Sequence, residues 1–198
     1  MLDACLVTLM EHGFTPAALV TRIIAASVPD QVQVAIAAWL LTVGSVFMGT
    51  IEGYAAPLEA GMASGGPAAD CTRIADEYIG IRRPIPGFGH PCHTPDDPRT
   101  PALFAVAAEA RLPGHHVALL RQMSATVDAR ASKHLTIKAT GTIGALLQEI
   151  GVPQSNMRAV AVISRCGGLA RHIMKERQTE STRTIWKLTE DNIPYVPS

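Results

Sequence analysis

The segment RRPIPGFGHPCHTPDDPRTP, at residues 82–101, concentrates the side chains of this chain that could do chemistry. Two glycines flank an aromatic residue in GFGH, so the backbone can approach a ligand closely and His90 ends a constrained turn. Arg99 lies just before Thr100 and Pro101, which predict a helix N-cap and a first helical residue. A histidine that titrates near neutrality and a guanidinium at a helix start would suit an anionic substrate with a carbonyl group.

Two other interpretations of this segment remain open from the residues alone. In the first, prolines and glycines make a rigid structural loop whose histidine has no chemical role. In the second, a metal ion binds to candidate ligands that include two histidines further on: His90, Cys92, His93, Asp96, Asp97, His115 and His116. The H-x-C-H cluster matches no standard zinc spacing and has no second ligand pair, so we expect no metal.

Charge and cysteine usage narrow the class of protein. The 198 residues carry 17 basic and 17 acidic side chains. They contain no basic run or aromatic-interleaved basic stripe, which argues against nucleic acid as a partner. The four cysteines are scattered without paired spacing, and MLDACLVTLMEHG lacks the basic region and cleavage site of a signal peptide. We therefore expect a protein of the reducing cytoplasm.

The apolar content is high, at 47% of residues with a mean hydropathy of +0.19. The longest apolar stretch, residues 32–51, approaches the length of a membrane span. It contains Gln33 and glycines and lacks flanking basic clusters, so we favour a buried or interface helix and expect no membrane partner. The helix predicted at 31–43 is apolar around most of its circumference, which predicts an obligate homodimer packed across a two-fold axis.

Apolar residues at helical spacing, with Thr-Pro helix starts, predict an all-α protein of about seven helices. Strand patterns are almost absent, and the length fits one domain. The predicted helices cover residues 15–27, 31–44, 66–81, 99–112, 115–135, 142–153 and 155–178.

Four ordered segments resemble the citrate synthase superfamily. PGFGH is followed by DPR and a helix at 86–104, and EHGFTPAALVTRIIAAS at 11–27 is similar to the family's D-H helix start. The stretch at 140–176 resembles the one that ends in [SG]-R-x-x-G-x-x-A-H. In the segment at 44–61, Phe47 and Met48 replace the enolising histidine of synthases, and FMGTIEG resembles citryl-CoA lyase-type members.

The resemblance implies a citrate synthase-like multi-helix fold with a large helical core and a small helical subdomain. Residues 1–198 would form one such domain without the family's N-terminal helices, and about 62–135 would form the small subdomain on the CoA side. The implied activity is cleavage of citryl-CoA, or a similar acyl-CoA, to acetyl-CoA and oxaloacetate. An acyl-CoA and a di- or tricarboxylic acid are the implied partners, and coenzyme A enters within the substrate with no separate cofactor.

The same resemblance assigns roles to individual residues. His90 would hydrogen-bond the citryl hydroxyl or the oxaloacetate carbonyl and help to move its proton. The substrate acid would contact His12, Phe47, Arg99 and Arg165, and a neighbouring subunit would lend Arg183. The CoA moiety would lie against the backbone of Ile85, Pro86, Gly87, Phe88 and Gly89, with Arg82 and Arg83 as phosphate partners. A solvated helix end is the alternative interpretation of those two arginines.

Thr140 departs from the family pattern. Counting back from the Gly-Val-Pro at 151–153 places it where N-V-D would carry the catalytic aspartate. A threonine has no carboxylate to exchange a proton with the acetyl-CoA methyl group, and loss of a general acid or base costs about 10²–10⁴-fold in rate. Three hypotheses follow: a citryl-CoA lyase, a catalytically impaired homologue that binds CoA or a dicarboxylate, and a citrate synthase-type acyltransferase.

Overall fold

The computed structural model describes residues 1–44, 51, 53, 55, 67–90 and 93–194. Within these ranges there are nine α-helices and no strand, which confirms the all-α prediction. In chain order they are α1 (Leu2–Leu9), α2 (Pro16–Ser27), α3 (Val32–Leu40), α4 (Pro67–Gly80), α5 (Arg99–Glu109), α6 (His115–Ala131), α7 (Ala139–Glu149), α8 (Gln154–Thr179) and α9 (Ser181–Asn192).

The ends of several helices follow from local chemistry. Helix α2 begins at Pro16 after an extended Thr15, as predicted, because proline has no N–H to leave unpaired in the first turn. Helix α6 ends at Ala131, earlier than predicted, where Ser132 adopts a positive φ of 52° that stops the helix. Helices α1 and α9 were not predicted, since neither starts with a Thr-Pro signal.

The chain divides into two compact units, one of Met1–Thr8 with Ser45–Ala161 and the other of Leu9–Gly44 with Val162–Ser198. The predicted subdomain at about 62–135 stays a prediction. None of the described helices has both the length and the apolar character that a bilayer span needs. The helix predicted over 31–44 ends at Leu40, and residues 45–50 lie outside the described residues.

The core of the first unit forms where α4, α6 and α7 meet the GFGH loop. Its buried members are Cys71, Ile74, Ala75, Ile85, Phe88, Leu119, Leu120, Met123, Val127 and Ala145. Because Ile85 and Phe88 belong to this core, the loop is anchored by apolar side chains on either side of its first glycine. In the second unit, Ala25, Ala35 and Ile173 pack together and join α2, α3 and α8.

Candidate functional site

The GFGH loop pairs with the segment that leads into α7. Phe88 forms an antiparallel bridge with Ile137, and the Lys138 N–H donates to the Gly87 carbonyl at 2.8 Å. The Phe88 side chain is only 3% exposed in the core of the first unit. The loop is therefore held both by its backbone and by the Phe88 ring. His90 comes directly after this fixed part of the loop.

Helix α7 begins in direct contact with this loop, and two glycines make the contact possible. Gly87 adopts a positive φ of 81°, which L side chains rarely adopt. A Cβ atom on Gly141 would lie 2.9 Å from the Gly87 carbonyl oxygen, so a larger residue would not fit there without a shift of the backbone. This contact places Thr140, the second residue of α7, beside the loop.

Asp97 joins the start of α5 to the start of α7. Its carboxylate accepts the backbone N–H groups of Arg99 at 3.1 Å and Ala139 at 3.0 Å, so one side chain caps two helices. It also accepts from Arg99 Nε at 2.9 Å and Nη2 at 2.7 Å. Burial alone would raise the pKa of Asp97, but these bonds from Arg99 and Ala139 lower it to about 2.

The prediction that Thr100 caps α5 and Pro101 begins it is wrong. The helix begins at Arg99, because the Asp97 carboxylate already accepts the Arg99 N–H. The Thr100 hydroxyl instead donates to the Ile137 carbonyl at 3.1 Å. The carboxylate that accepts a hydrogen bond at this helix start is thus Asp97 of the chain itself.

Arg99 was predicted to hold a substrate carboxylate. Its ion pair with Asp97 uses Nε and Nη2, and its side chain remains 30% exposed. A planar guanidinium can pair along one edge and offer its remaining nitrogen, Nη1, to a second acceptor. The predicted role therefore stays open for Nη1.

His90 is partly buried, and its protonation follows from one hydrogen bond. The backbone N–H of His93 donates to its Nδ1 at 3.0 Å, so a neutral ring carries its proton on Nε2. Burial lowers the pKa of His90, as do the neighbouring charges of His93, Arg99 and Lys138, against an opposing contribution from Asp97. The imidazole is thus neutral near pH 7 and presents an Nε2–H donor.

Lys138, whose charge acts on His90, and Thr140 lie at the start of α7. The Thr140 hydroxyl oxygen is buried, and no hydrogen-bond partner for it exists among the described residues. Lys138, at the N-cap position of α7, is partly buried, and burial lowers the pKa of its ammonium group. The start of α7 thus carries the hydroxyl of Thr140, where the family pattern has a carboxylate, and the cation of Lys138 two residues earlier.

Two of the three side chains that could bind a metal at the loop, His90 and Asp97, are already engaged in hydrogen bonds. Ligand atoms of His90, His93 and Asp97 lie within 4.8 Å of one another. However, the Asp97 carboxylate accepts four N–H bonds, and His90 Nδ1 accepts one. A metal would have to displace the Arg99 ion pair, and the expectation of no metal stays a prediction. Cys92 lies outside the described residues.

The predicted CoA-contact segment exposes little of its side chains. Ile85 and Phe88 are 6% and 3% exposed in the core, which leaves the loop backbone as the part that could meet a ligand. Arg82 and Arg83 are exposed after α4, and the Arg83 N–H closes that helix by donating to Tyr78. Their predicted phosphate contacts stay predictions.

In the second unit, the segment that carries His12 packs tightly on α8. A Cβ atom on Gly168 would lie 2.0 Å from the Met10 carbonyl oxygen, so only glycine allows this approach. Glu11 then folds the segment back, because its carboxylate accepts the N–H groups of His12 at 2.9 Å and Gly13 at 2.6 Å. The position of the His12 backbone is therefore fixed, although its side chain is exposed.

A buried polar network fixes Glu11 in turn. Arg22, only 3% exposed, donates from Nε to His172 Nδ1 at 3.0 Å and from Nη1 to Glu176 at 3.1 Å. Since Nδ1 of His172 accepts, its Nε2 donates to Glu11 at 3.1 Å. Burial would raise the pKa of Glu11, but the bonds from His172, Gly13 and His12 lower it.

The other predicted residues lie apart from the GFGH loop in sequence. Arg165 is partly buried on α8, one helical turn before Gly168 and on the same helix face. His12 and Arg165 therefore both belong to the second unit, whereas His90, Arg99 and Thr140 belong to the first. Arg183 is exposed on α9. Phe47 lies outside the described residues.

Sequence reasoning missed several residues that hold the site together. Asp97 was considered only as a metal ligand, although an acid two residues before a helical Arg99 is a helix-start signal. Lys138 belongs to no motif that marks it as a site residue in the sequence. No local signal identifies the pairing of Arg22 with His172 and Glu176, since the partners are 150 and 154 residues apart.

These features define an all-α protein in which a glycine-rich loop, held against a helix start, presents a neutral histidine among cationic groups. The chain belongs to the citrate synthase family, because the family's C-terminal domain matches residues 1–188. The resemblance inferred from the four motifs is thereby confirmed.

Solved structures agree with this assignment. The chain resembles the citryl-CoA lyase of Hydrogenobacter thermophilus with a TM-score of 0.86 and 27% identity, over 99% of this chain and 75% of that one. It also resembles the ATP citrate lyase of Methanothrix soehngenii in complex with citrate and coenzyme A, with a TM-score of 0.80 and 20% identity, over 100% and 34% of the two chains. The citrate synthase-like fold is thus confirmed.

Curated relatives show a similar level of sequence identity. The protein named "Putative citrate synthase 2" of Mycobacterium tuberculosis is 23% identical over 206 residues, which cover 98% of this chain and 50% of the relative. The chain therefore spans about half the length of the curated relatives it matches.

Proposed function

We propose that this chain is a citryl-CoA lyase-type carbon–carbon lyase that cleaves citryl-CoA, or a similar acyl-CoA, to acetyl-CoA and oxaloacetate. The observation that carries the proposal is His90, a neutral histidine whose ring proton lies on Nε2, on a loop fixed between a core and α7. The likeness to a citryl-CoA lyase at 27% identity supports the same reaction.

The reaction needs two changes of protonation. The citryl hydroxyl loses its proton and becomes the oxaloacetate carbonyl, while the carbon–carbon bond breaks and its electron pair passes to the thioester methylene. The resulting enolate of acetyl-CoA then takes a proton at carbon. With its proton on Nε2, His90 donates to the citryl oxygen while that hydroxyl gives its proton to water, and it stays hydrogen-bonded to the oxygen as this becomes the carbonyl of the oxo acid.

Charge near the histidine fits an anionic substrate. Nη1 of Arg99 is the guanidinium nitrogen that Asp97 does not use, and Lys138 is close enough to His90 to lower its pKa. His12 and Arg165 are further acid contacts that the family resemblance implies. Cytoplasmic location and a homodimer remain predictions alongside this function.

A second function is favoured by Thr140. Its buried hydroxyl stands in place of the family's aspartate and has no partner among the described residues, so it offers a hydrogen bond to a ligand but no carboxylate to the enolate. A protein that binds CoA or a dicarboxylate without turning it over would have this arrangement. The two functions differ in whether the bound thioester is cleaved.

The direct test incubates the purified chain with citryl-CoA and follows oxaloacetate with a coupled dehydrogenase. His90→Ala should lose about 10²-fold or more in turnover with little change in thermal stability. The matched control is His115→Ala, because His115 is also a histidine but lies exposed at the start of α6. Equal loss of turnover and of cooperative unfolding in His90→Ala would instead assign a structural role to this histidine.

Thr140→Asp distinguishes the two functions. A carboxylate in the first turn of α7 is favoured by the helix N–H groups, and it would restore a proton carrier beside the enolate. For an impaired lyase we expect a gain of about tenfold or more in citryl-CoA cleavage. A fast wild type that slows on substitution contradicts the mechanism. If neither wild type nor Thr140→Asp cleaves citryl-CoA but both bind CoA, the binding function is the right one.

A further inference from the structure

Lys138 is held in a fixed position beside the GFGH loop. Its N–H donates to the Gly87 carbonyl at 2.8 Å, and its own carbonyl accepts the N–H groups of Gly141 at 3.0 Å and Thr142 at 3.1 Å. Both backbone groups are therefore committed, one to the loop and one to the first turn of α7. The side chain starts from a point that cannot drift away from His90 without breaking these bonds.

The Lys138 side chain is partly buried. No carboxylate in the described parts of the chain forms an ion pair with it, and burial is what lowers its pKa. The nearest candidate acid, Asp97, is already neutralised by Arg99 at 2.7 Å. Because burying an unpaired charge is costly, such an ammonium is expected to serve a ligand.

Among the described residues, Asp97, Arg99 and Lys138 act on His90 together with the neighbouring His93. Asp97 and Arg99 cancel each other, His90 is neutral, and Lys138 remains positive near pH 7. The family pattern N-V-D carries one acid over the positions that hold Lys-Ala-Thr at 138–140 here. Lys138 therefore stands at the asparagine of this pattern, two residues before Thr140, which stands at its acid.

We propose that Lys138 is a ligand-binding residue whose ammonium pairs with a carboxylate of a di- or tricarboxylic acid bound beside His90. The inference rests on the proposed function and specifies how this chain holds its acid. A bound carboxylate, unlike a transient enolate, remains in place long enough to compensate the lost hydration of the ammonium. The pair also explains why a lysine is tolerated at a partly buried helix start, where the helix N–H groups disfavour a cation.

The test measures citrate and oxaloacetate binding by calorimetry for wild type, Lys138→Met, Lys138→Arg and Lys133→Met. Loss of a charged hydrogen bond should weaken binding by about tenfold or more in Lys138→Met. Lys138→Arg keeps the charge and should stay within about threefold of wild type. Lys133 is an exposed lysine of the same unit, so Lys133→Met serves as the control and should bind as wild type does.

Thermal unfolding without ligand separates this role from a structural one. Methionine removes a buried charge and keeps the side-chain length, so Lys138→Met should melt at or above the wild-type temperature. Wild-type affinity in Lys138→Met overturns the inference and leaves the lyase proposal standing. A lowered melting temperature that accounts for the weaker binding also overturns it. A wild type that neither binds these acids nor cleaves citryl-CoA overturns both.

Discussion

Asp97→Asn removes the charge that joins α5, α7 and Arg99. The carboxylate accepts four N–H bonds, two from backbone groups at helix starts and two from the guanidinium. An asparagine has one acceptor oxygen, and its NH₂ group would face donors. The substitution therefore leaves a partly buried Arg99 without its counter-charge and at least one helix-start N–H without an acceptor.

The pKa of Asp97 sets the size of the effect. The folded pKa is about 2, against an unfolded value of about 3.9. A depressed acid stabilises the fold above its unfolded pKa, and this difference corresponds to about 2 kcal/mol at pH 5 and above. The contribution is lost as pH falls through the folded pKa, with about half gone by pH 3. With the lost caps added, Asp97→Asn should cost about 2–4 kcal/mol at pH 7.

Urea unfolding followed by far-ultraviolet circular dichroism, at pH 7, 5, 4 and 3, measures this effect. The difference in the free energy of unfolding between wild type and Asp97→Asn should be constant down to pH 5 and should then shrink by about 1 kcal/mol at pH 3. Asp96→Asn is the control, because its side chain is 71% exposed and it should cost less than about 1 kcal/mol. A gap that does not change between pH 5 and pH 3 would refute the assignment of this ionised carboxylate to the cap.

Two glycine contacts give further predictions. Gly141→Ala should destabilise the protein and weaken ligand binding, because its Cβ would lie 2.9 Å from the Gly87 carbonyl oxygen. Gly80→Ala, at a helical glycine with open space around it, is the control in thermal melts and citrate calorimetry, and an equal effect of both would contradict the close contact. Gly168→Ala should displace residues 10–13 and lower the melting temperature. Gly167→Ala would meet only the side chain of Met10 at ordinary distance and should change little, so equal losses at both sites would contradict this packing.

The sequence predicted the all-α class and most helices because these depend on local patterns. The Pro16 start of α2 and the apolar spacing of α4, α6 and α8 can be recognised within one or two helical turns of sequence. Motif order likewise revealed the family, since GFGH and DPR keep their spacing in the chain. Helix α9 was not predicted from the sequence, and in the structure none of its side chains is buried.

The start of α5 shows where local reasoning fails. Thr100 followed by Pro101 is a sound N-cap signal, yet the helix begins at Arg99. The Thr100 hydroxyl does not cap this helix, because its acceptor is 37 residues away in the chain, and no periodicity in the sequence connects the two. The tertiary structure gave the threonine another acceptor, the Ile137 carbonyl.

By itself, the sequence determined which residues could do chemistry: a constrained His90, an arginine at a helix start and a threonine in place of an acid. Only the tertiary structure decided their states. It engaged Arg99 with Asp97, placed the proton of His90 on Nε2, and buried the Thr140 hydroxyl and part of Lys138 beside the loop. The physical reason is that residue type fixes which bonds a group can make, whereas burial and the partners brought from distant segments fix which of those bonds form.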